Sequence, residues 1–260
     1  MERWFLLFVY FFNIEQLKNM EPEAKQSALS LSTPVAIVIA GALIAGAVYL
    51  GTSTGGTANV QQPQAATQQT GDLEQMKAIS ADDHIRGNPD APVKIVEYSD
   101  PECPFCKRFH DTMKQVMDEY GKDGKVAWVY RNFPLDQLHQ KARNEATAIE
   151  CAGDLGGNDK FWIYADRLYE VTPSNDGLDP MELHNIAQYV GLDMTKFNTC
   201  LAGEKFTKHI EDDVQNAVAT GGNGTPWSIV VTKSGKKYPL SGAQPYEAVK
   251  QLIEVALKDN

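Results

Sequence analysis

Apolar and polar positions alternate in different ways along different stretches of the chain. Residues 31–50, LSTPVAIVIAGALIAGAVYL, carry no charge over about twenty positions, which matches the hydrocarbon thickness of a bilayer at ~1.5 Å per helical residue. The next stretch is Gly, Thr, Ser, Gln, Ala and Asn with a lone proline, Pro63, and shows no apolar period. It predicts a flexible linker over residues 51–78, whose Gly/Ser-rich part would hold the following domain about 25 Å from a membrane as a loose coil. From residue 79 to 260 the pattern is globular. Val93, Ile95, Val96 and Tyr98 lie in a β-branched, apolar run that reads as a strand. Phe105, Phe109, Met113, Val116, Met117 and Tyr120 then recur at helical spacing. A second strand is predicted over residues 125–131, and strand, helix, strand implies a parallel pair. Residues 138–219 hold helical signals with little strand character, in Ala142, Ala146 and Ile149, then Phe161, Tyr164 and Leu168, then Leu183, Ile186, Ala187 and Val190. This block reads as a helical insertion. Strand character returns over residues 227–231 and 237–240, and a last helix starts at Pro245 and buries Val249, Leu252, Ile253 and Ala256.

The uncharged run reads as a single uncleaved transmembrane helix, because it is longer than the core of a typical signal peptide. A cleaved signal peptide is the competing reading, since Ala45 and Ala47 suit a peptidase. Lys18 and Lys25 precede the run and no basic residue follows until Lys77, which places the globular body on the extracytoplasmic side of the cell membrane. The tail over residues 1–30 contains a short apolar patch between Trp4 and Phe12, too short to span a bilayer. Met20 offers an alternative start that omits this patch, and an interfacial anchor is the other reading of it.

With 260 residues, 43% of them hydrophobic, the chain can bury an ordinary core. A formal net charge of -10 and the lack of a basic stretch with interleaved aromatics argue against nucleic-acid binding. Four cysteines are too few to build a disulfide scaffold.

Two of those cysteines carry the chemistry. Cys103-Pro104-Phe105-Cys106 sits where the first strand turns into the first helix. Pro104 suits the first helical position, and the unpaired amides and dipole of the helix start favour a thiolate at Cys103. Asp100 and Glu102 oppose that thiolate by like charge, while Lys107 and Arg108 assist it. Cys106, one turn deeper, is the natural resolving thiol. A zinc site would need two further ligands at short spacing, and there is no second CxxC. Neither a metal nor a cofactor is expected, since Walker, dinucleotide and HExxH motifs are also missing. Glu97 shares strand parity with Val93 and Ile95, so it points under the cysteine helix, unless it reaches solvent or pairs with Lys94 or Arg131. Cys151 and Cys200 read either as buried thiols or as a structural disulfide. Export favours the bridge, which in the chain-entropy model stabilises by about 4 kcal/mol. The five histidines do not cluster, and His110 reads as a solvated helix residue. Phe161, Trp162, Tyr164 and Tyr169 read as core of the insertion, and Gly221 to Gly224 as a flexible approach to Pro226.

The CPFC turn after a strand, the long helical block and Thr225-Pro226 opening the next strand together resemble the DsbA-like thiol-disulfide oxidoreductases of the thioredoxin superfamily. The resemblance covers roughly residues 79–257 and implies an α/β, thioredoxin-like fold with a helical insertion. It also implies a cis Pro226 facing the cysteines, with Thr225, Pro104 and Phe105 beside a bound substrate segment. An acid at the position of Glu97 is thought to move protons to and from the buried thiol in that family, and a cysteine pair in the insertion is common among its exported members. DsbA has histidine where this chain has Phe105, so a less oxidising couple is expected here. The implied function is a membrane-anchored, extracytoplasmic oxidase that exchanges disulfides with exported proteins and is reoxidised by a membrane partner resembling DsbB or VKOR. Reductase and isomerase are alternatives, as is a non-catalytic binding module or chaperone.

Overall fold

A computed structural model describes residues 71–259. The expected tail over 1–30, the membrane span over 31–50 and residues 51–70 of the linker lie outside the described residues. Among the described residues no helix is long and apolar enough to cross a membrane.

Among the described residues five strands form one sheet: β1 (His84–Arg86), β2 (Val93–Ser99), β3 (Val126–Asn132), β4 (Trp227–Thr232) and β5 (Lys237–Ser241), in the order β1-β3-β2-β4-β5. β2 and β3 are parallel, with Val93 opposite Val126 and Ser99 opposite Asn132; the other pairs are antiparallel. β2 is central because it is apolar on both faces. Val93 and Ile95 enter the core on one side while Val96 and Tyr98 enter a second core on the other. Each such fully buried side chain stabilises by about 1.5–3 kcal/mol. β1 is a strand the sequence does not announce, since its three residues His84, Ile85 and Arg86 are half-buried and show no alternation.

Among the described residues six α-helices follow one another: α1 (Pro104–Val116), α2 (Ala142–Val171), α3 (Met181–Val190), α4 (Met194–Leu201), α5 (Thr207–Ala219) and α6 (Tyr246–Lys258). α1 begins at Cys103, whose backbone is extended, with Pro104 in the first turn, and passes into a π-helical turn over Met117–Gly121. Its inward stripe is Cys106, Phe109, Met113 and Val116. Phe105 does not belong to that stripe, contrary to the periodicity drawn from sequence, and is 53% exposed. α1 and α6 share the first core with the insertion helices, whereas α5 contributes Ala217 to the second.

The linker ends earlier than expected. Leu73–Gln75 forms a 3-10 turn started by Asp72, and Leu73, Met76 and Ile79 pack on the second core. Asn216 accepts from Lys77 N at 3.1 Å and donates to Gln75 O at 2.7 Å. Residues 72–78 are therefore part of the domain rather than of a flexible linker, a placement that depends on distant Asn216 and so leaves no local pattern.

Candidate active site at the strand-to-helix turn

Cys103 keeps 4% of its surface and Cys106 none, so an incoming thiol meets Cys103 first. Both are free thiols in this structure. In its thiol form Cys103 donates to Thr225 O at 3.5 Å. In its thiolate form it has better partners. The Cys106 thiol is the foremost, and the Thr225 hydroxyl and the amides of Cys106 and Phe105 add to it, against the cost of burial. The result brings Cys103 down to about 6 from an ordinary 9.0. Cys106 moves the opposite way, pushed well up by full burial and by the neighbouring Cys103.

The cations expected to assist the thiolate do other things. Lys107 Nζ donates to Thr172 O at 2.5 Å, and the Arg108 guanidinium lies over the Phe105 ring at 5.2 Å. Of the two acids expected to oppose it, Asp100 is also taken up: it accepts from His139 Nδ1, Leu135 N and Glu102 N, each at 2.8 Å. Hydrogen bonds from the helix start, rather than nearby full charges, do most of the lowering.

Glu97 is fully buried under α1. Neither Lys94 nor Arg131 is its partner: Lys94 Nζ donates to Ala91 O at 3.3 Å, and Arg131 pairs with Asp83 at 2.8 Å. Its Oε1 accepts from Ser99 Oγ at 2.7 Å and its Oε2 from Trp128 Nε1 at 2.8 Å. Burial outweighs both hydrogen bonds and raises the carboxyl to about 7. Ser99 also hydrogen-bonds the Cys106 thiol, so one hydroxyl touches both the acid and the buried sulfur. Its far side meets Tyr169 OH at 3.0 Å, which in turn meets Tyr130 OH at 3.1 Å.

Across from the thiols the Thr225–Pro226 peptide bond is cis, immediately before β4. Pro226 O accepts from Gly242 N at 2.9 Å. The preceding glycines are less slack than expected, since the Gly222 N–H donates to Ala217 O at 2.8 Å and a side chain at 222 would press on Trp227.

A strand ending in a buried acid, a low-pKa cysteine at a helix start, a deep second cysteine and a cis proline opposite them are now joined in one place. A family model described as Thioredoxin matches residues 80–255. The chain belongs to the thioredoxin family.

Among solved structures of this family, DsbA2 of Pseudomonas aeruginosa is 29% identical, with a TM-score of 0.59 over 70% of this chain and 98% of that one. BdbD of Bacillus subtilis is 25% identical, with a TM-score of 0.60 over 68% of this chain and 94% of its own. The curated relatives have a different character. The Na(+)/H(+) antiporter NhaA 1 of Mycolicibacterium gilvum is 34% identical over 158 residues, which are 60% of this chain and 24% of the antiporter. The chain thus matches about a quarter of the length of these relatives. Fold and cysteine pair are those of the DsbA-like thiol-disulfide oxidoreductases within the thioredoxin family.

Other residues of this thioredoxin-family site were invisible or misread in the sequence. His110 is buried, not solvated: it lies one turn beyond Cys106 on the inward side of α1, stacks on Tyr169 with ring centroids 4.5 Å apart, and meets Asp166 at 2.7 Å. Burial pushes its pKa down against the pull of Asp166. His84 and His209, which showed no motif, flank the buried Glu150 at 3.1 and 3.6 Å. Cys151 of α2 and Cys200 of α4 are joined by a disulfide. Phe161, Trp162, Tyr164 and Tyr169 all pack in the core.

Proposed function

We propose that the protein is a membrane-anchored, extracytoplasmic thiol-disulfide oxidoreductase that works as an oxidase on exported proteins. The observation that carries this reading is the division of the pair into an ionised, reachable Cys103 and a protonated, enclosed Cys106. Starting from the Cys103–Cys106 disulfide, a client thiolate attacks Cys103 Sγ and the S–S bond breaks. Cys106 leaves and takes up a proton, for which Ser99 and Glu97 form the adjoining route. A second client thiolate then attacks the client sulfur of the mixed disulfide. Cys103 departs as a stabilised thiolate, the client holds a new disulfide, and two electrons remain on the enzyme for reoxidation by a membrane partner resembling DsbB or VKOR. Extended client backbone would lie against Thr225 and Pro226, with Pro104 and the exposed Phe105 at its edge.

A thiolate near 6 supports the oxidising direction, because stabilising the leaving sulfur favours the reduced enzyme. It also supports a milder oxidant than DsbA, whose thiol ionises at about 3.5. The uncharged run over 31–50 and the antiporter relatives support a membrane setting.

Cys103→Ser tests the activity: oxidation of a reduced client should vanish, whereas unchanged client protection with no oxidation by the wild type would favour a chaperone. A measured potential separates oxidase from reductase. A value below that of thioredoxin, about −270 mV, would exclude an oxidase. Carbonate extraction and protease protection in cells test the anchor and its sidedness.

A further inference from the structure

Glu102 stands one position before the nucleophile, and its side chain is fully enclosed. Its carboxyl Oε2 accepts from Asp176 N at 2.7 Å and its backbone O from Asn175 N at 2.8 Å, while Oε1 has no donor. Those two amides belong to a costly piece of backbone. Ser174, Asn175 and Asp176 are consecutive non-glycine residues in the left-handed region, with φ of 66°, 55° and 61°. The loop that joins α2 to α3 is thus wrapped around Glu102.

Glu145, in the first turn of α2, lies within hydrogen-bond reach of Glu102. It is 2% exposed, and its Oε2 has no donor either. Two ionised carboxylates only accept, so side by side and buried they would leave each other unsatisfied, and like charges so close do not both ionise. The groups around them offer no other remedy. Lys141 Nζ donates to Asp176 O at 2.6 Å and Leu178 O at 2.7 Å. Asp176 accepts from the amides of Gln140 and Lys141, Asp100 is paired with His139, and the Tyr164 hydroxyl donates to Leu183 O. A proton between the carboxyls supplies the missing donor.

We propose that Glu102 and Glu145 share a single proton and act as a positioning pair for Cys103, tying the turn before the nucleophile to the insertion and leaving one negative charge, not two, beside the thiolate. Burial and the contact with Glu102 push the Glu145 carboxyl up to about 10, in keeping with a proton held through the neutral range. The proposal rests on Cys103 being the reacting thiolate.

Infrared spectroscopy of the reduced, full-length protein tests it, between the Glu97 midpoint of about 7 and that of Glu145, about 10. A carboxylic-acid carbonyl signal is expected there and should be missing in Glu145→Gln. Thiolate absorbance against pH supplies the second readout. Glu145→Gln keeps a donor and the charge, so Cys103 should titrate as in the wild type. Replacing both glutamates by glutamine removes the remaining charge; it should raise the acid constant of Cys103 severalfold and move the glutathione equilibrium toward the reduced form by a similar factor. A purely structural role would not produce that direction. Absence of the carbonyl signal overturns the proposal, as does a Glu145→Gln shift as large as that of the double variant. Should Glu145→Gln not fold, Glu145→Asp assigns the signal by moving it. The infrared readout needs no exchange assay, so its absence overturns the pair whatever the activity. Its presence with the charge-dependent shift supports the pair even in a protein that oxidises no client.

Discussion

At the scale of single residues, the chemistry depends on opposite displacements of two identical side chains three positions apart. Cys103 is lowered because the ionised sulfur collects donors at the helix start, and Cys106 is raised because enclosure removes its water. The reduced protein should therefore show a thiolate transition in ultraviolet absorbance near pH 6, three units below an ordinary thiol at 9.0. The sign also follows for stability. A depressed thiol stabilises the reduced fold fully above about 9, and that stabilisation is lost as pH falls through about 6. The disulfide form has no such thiolate, so the reduced form should gain on the oxidised one as pH rises from 6 to 9. Glu97 serves Cys106 in both directions, giving it a proton as it leaves and accepting one when it attacks a mixed disulfide in the reverse exchange. Above about 7 it is a carboxylate able to accept the Cys106 proton, and below that it is already protonated. The rate at which Cys106 resolves a mixed disulfide should fall as pH drops through about 7. Glu97→Gln should slow it on the order of 100-fold and flatten that dependence, as measured in stopped-flow exchange with a model mixed disulfide. The two cysteines were legible because their spacing and Pro104 are local features, and the inward direction of Glu97 because strand parity is. The Ser99 bridge was not, since nothing local ties that hydroxyl to both the acid and the sulfur.

At the scale of elements, the insertion is held by one break and one bridge. α2 is interrupted at Gly157, where φ is 76° and ψ −176°, a region accessible in practice only to glycine. Space is not the obstacle there, because an added Cβ would meet nothing within 4 Å. Gly157→Ala should cost about 1–3 kcal/mol, read by urea unfolding, with the Cys103 titration unchanged. The Cys151–Cys200 bridge spans 49 positions. Replacing both by alanine should destabilise by about 4 kcal/mol in the same assay while leaving thiol exchange at Cys103 intact. Helix periodicity revealed the insertion, but its break at Gly157 did not stand out in a sequence with other glycines nearby. The bridge was one of two open readings, since only the packing of α4 on α2 brings the sulfurs together. Phe105 shows the same limit from the other side: it shares a helical period with Phe109 yet faces outward, because Cys106 takes the inward position.

At the scale of the whole molecule, polar groups buried between the sheet and the insertion govern the response to acid. Glu150 is enclosed, accepts from Asn132 Nδ2 at 2.7 Å and is flanked by His84 and His209. Burial works against it, but the two histidines prevail and hold it at about 2, below an ordinary 4.5. Its contribution is present above about 4.5 and is lost as pH falls through about 2. His209, raised to about 9 chiefly by Glu150, contributes fully below 6.5, and that contribution is lost as pH rises through about 9. Glu150→Leu should cost about 3–5 kcal/mol near neutral pH and weaken the loss of stability between pH 4.5 and 2, measured by thermal unfolding across that range. Arg131 stitches the opposite core in a similar way, reaching Asp83, Tyr98, Asn216 and the carbonyls of Lys77 and Ala78. By itself the sequence determined the strand–helix–strand unit, the position of the insertion and the cysteine turn, since each is written in spacing along the chain. Tertiary structure alone decided β1, the docking of residues 72–78, the burial of His110, the partners of Glu97 and the meeting of Glu102 with Glu145. Those depend on which distant groups share an enclosed space, and enclosure, which sets both hydrogen-bond partners and charge states, has no period in a linear chain.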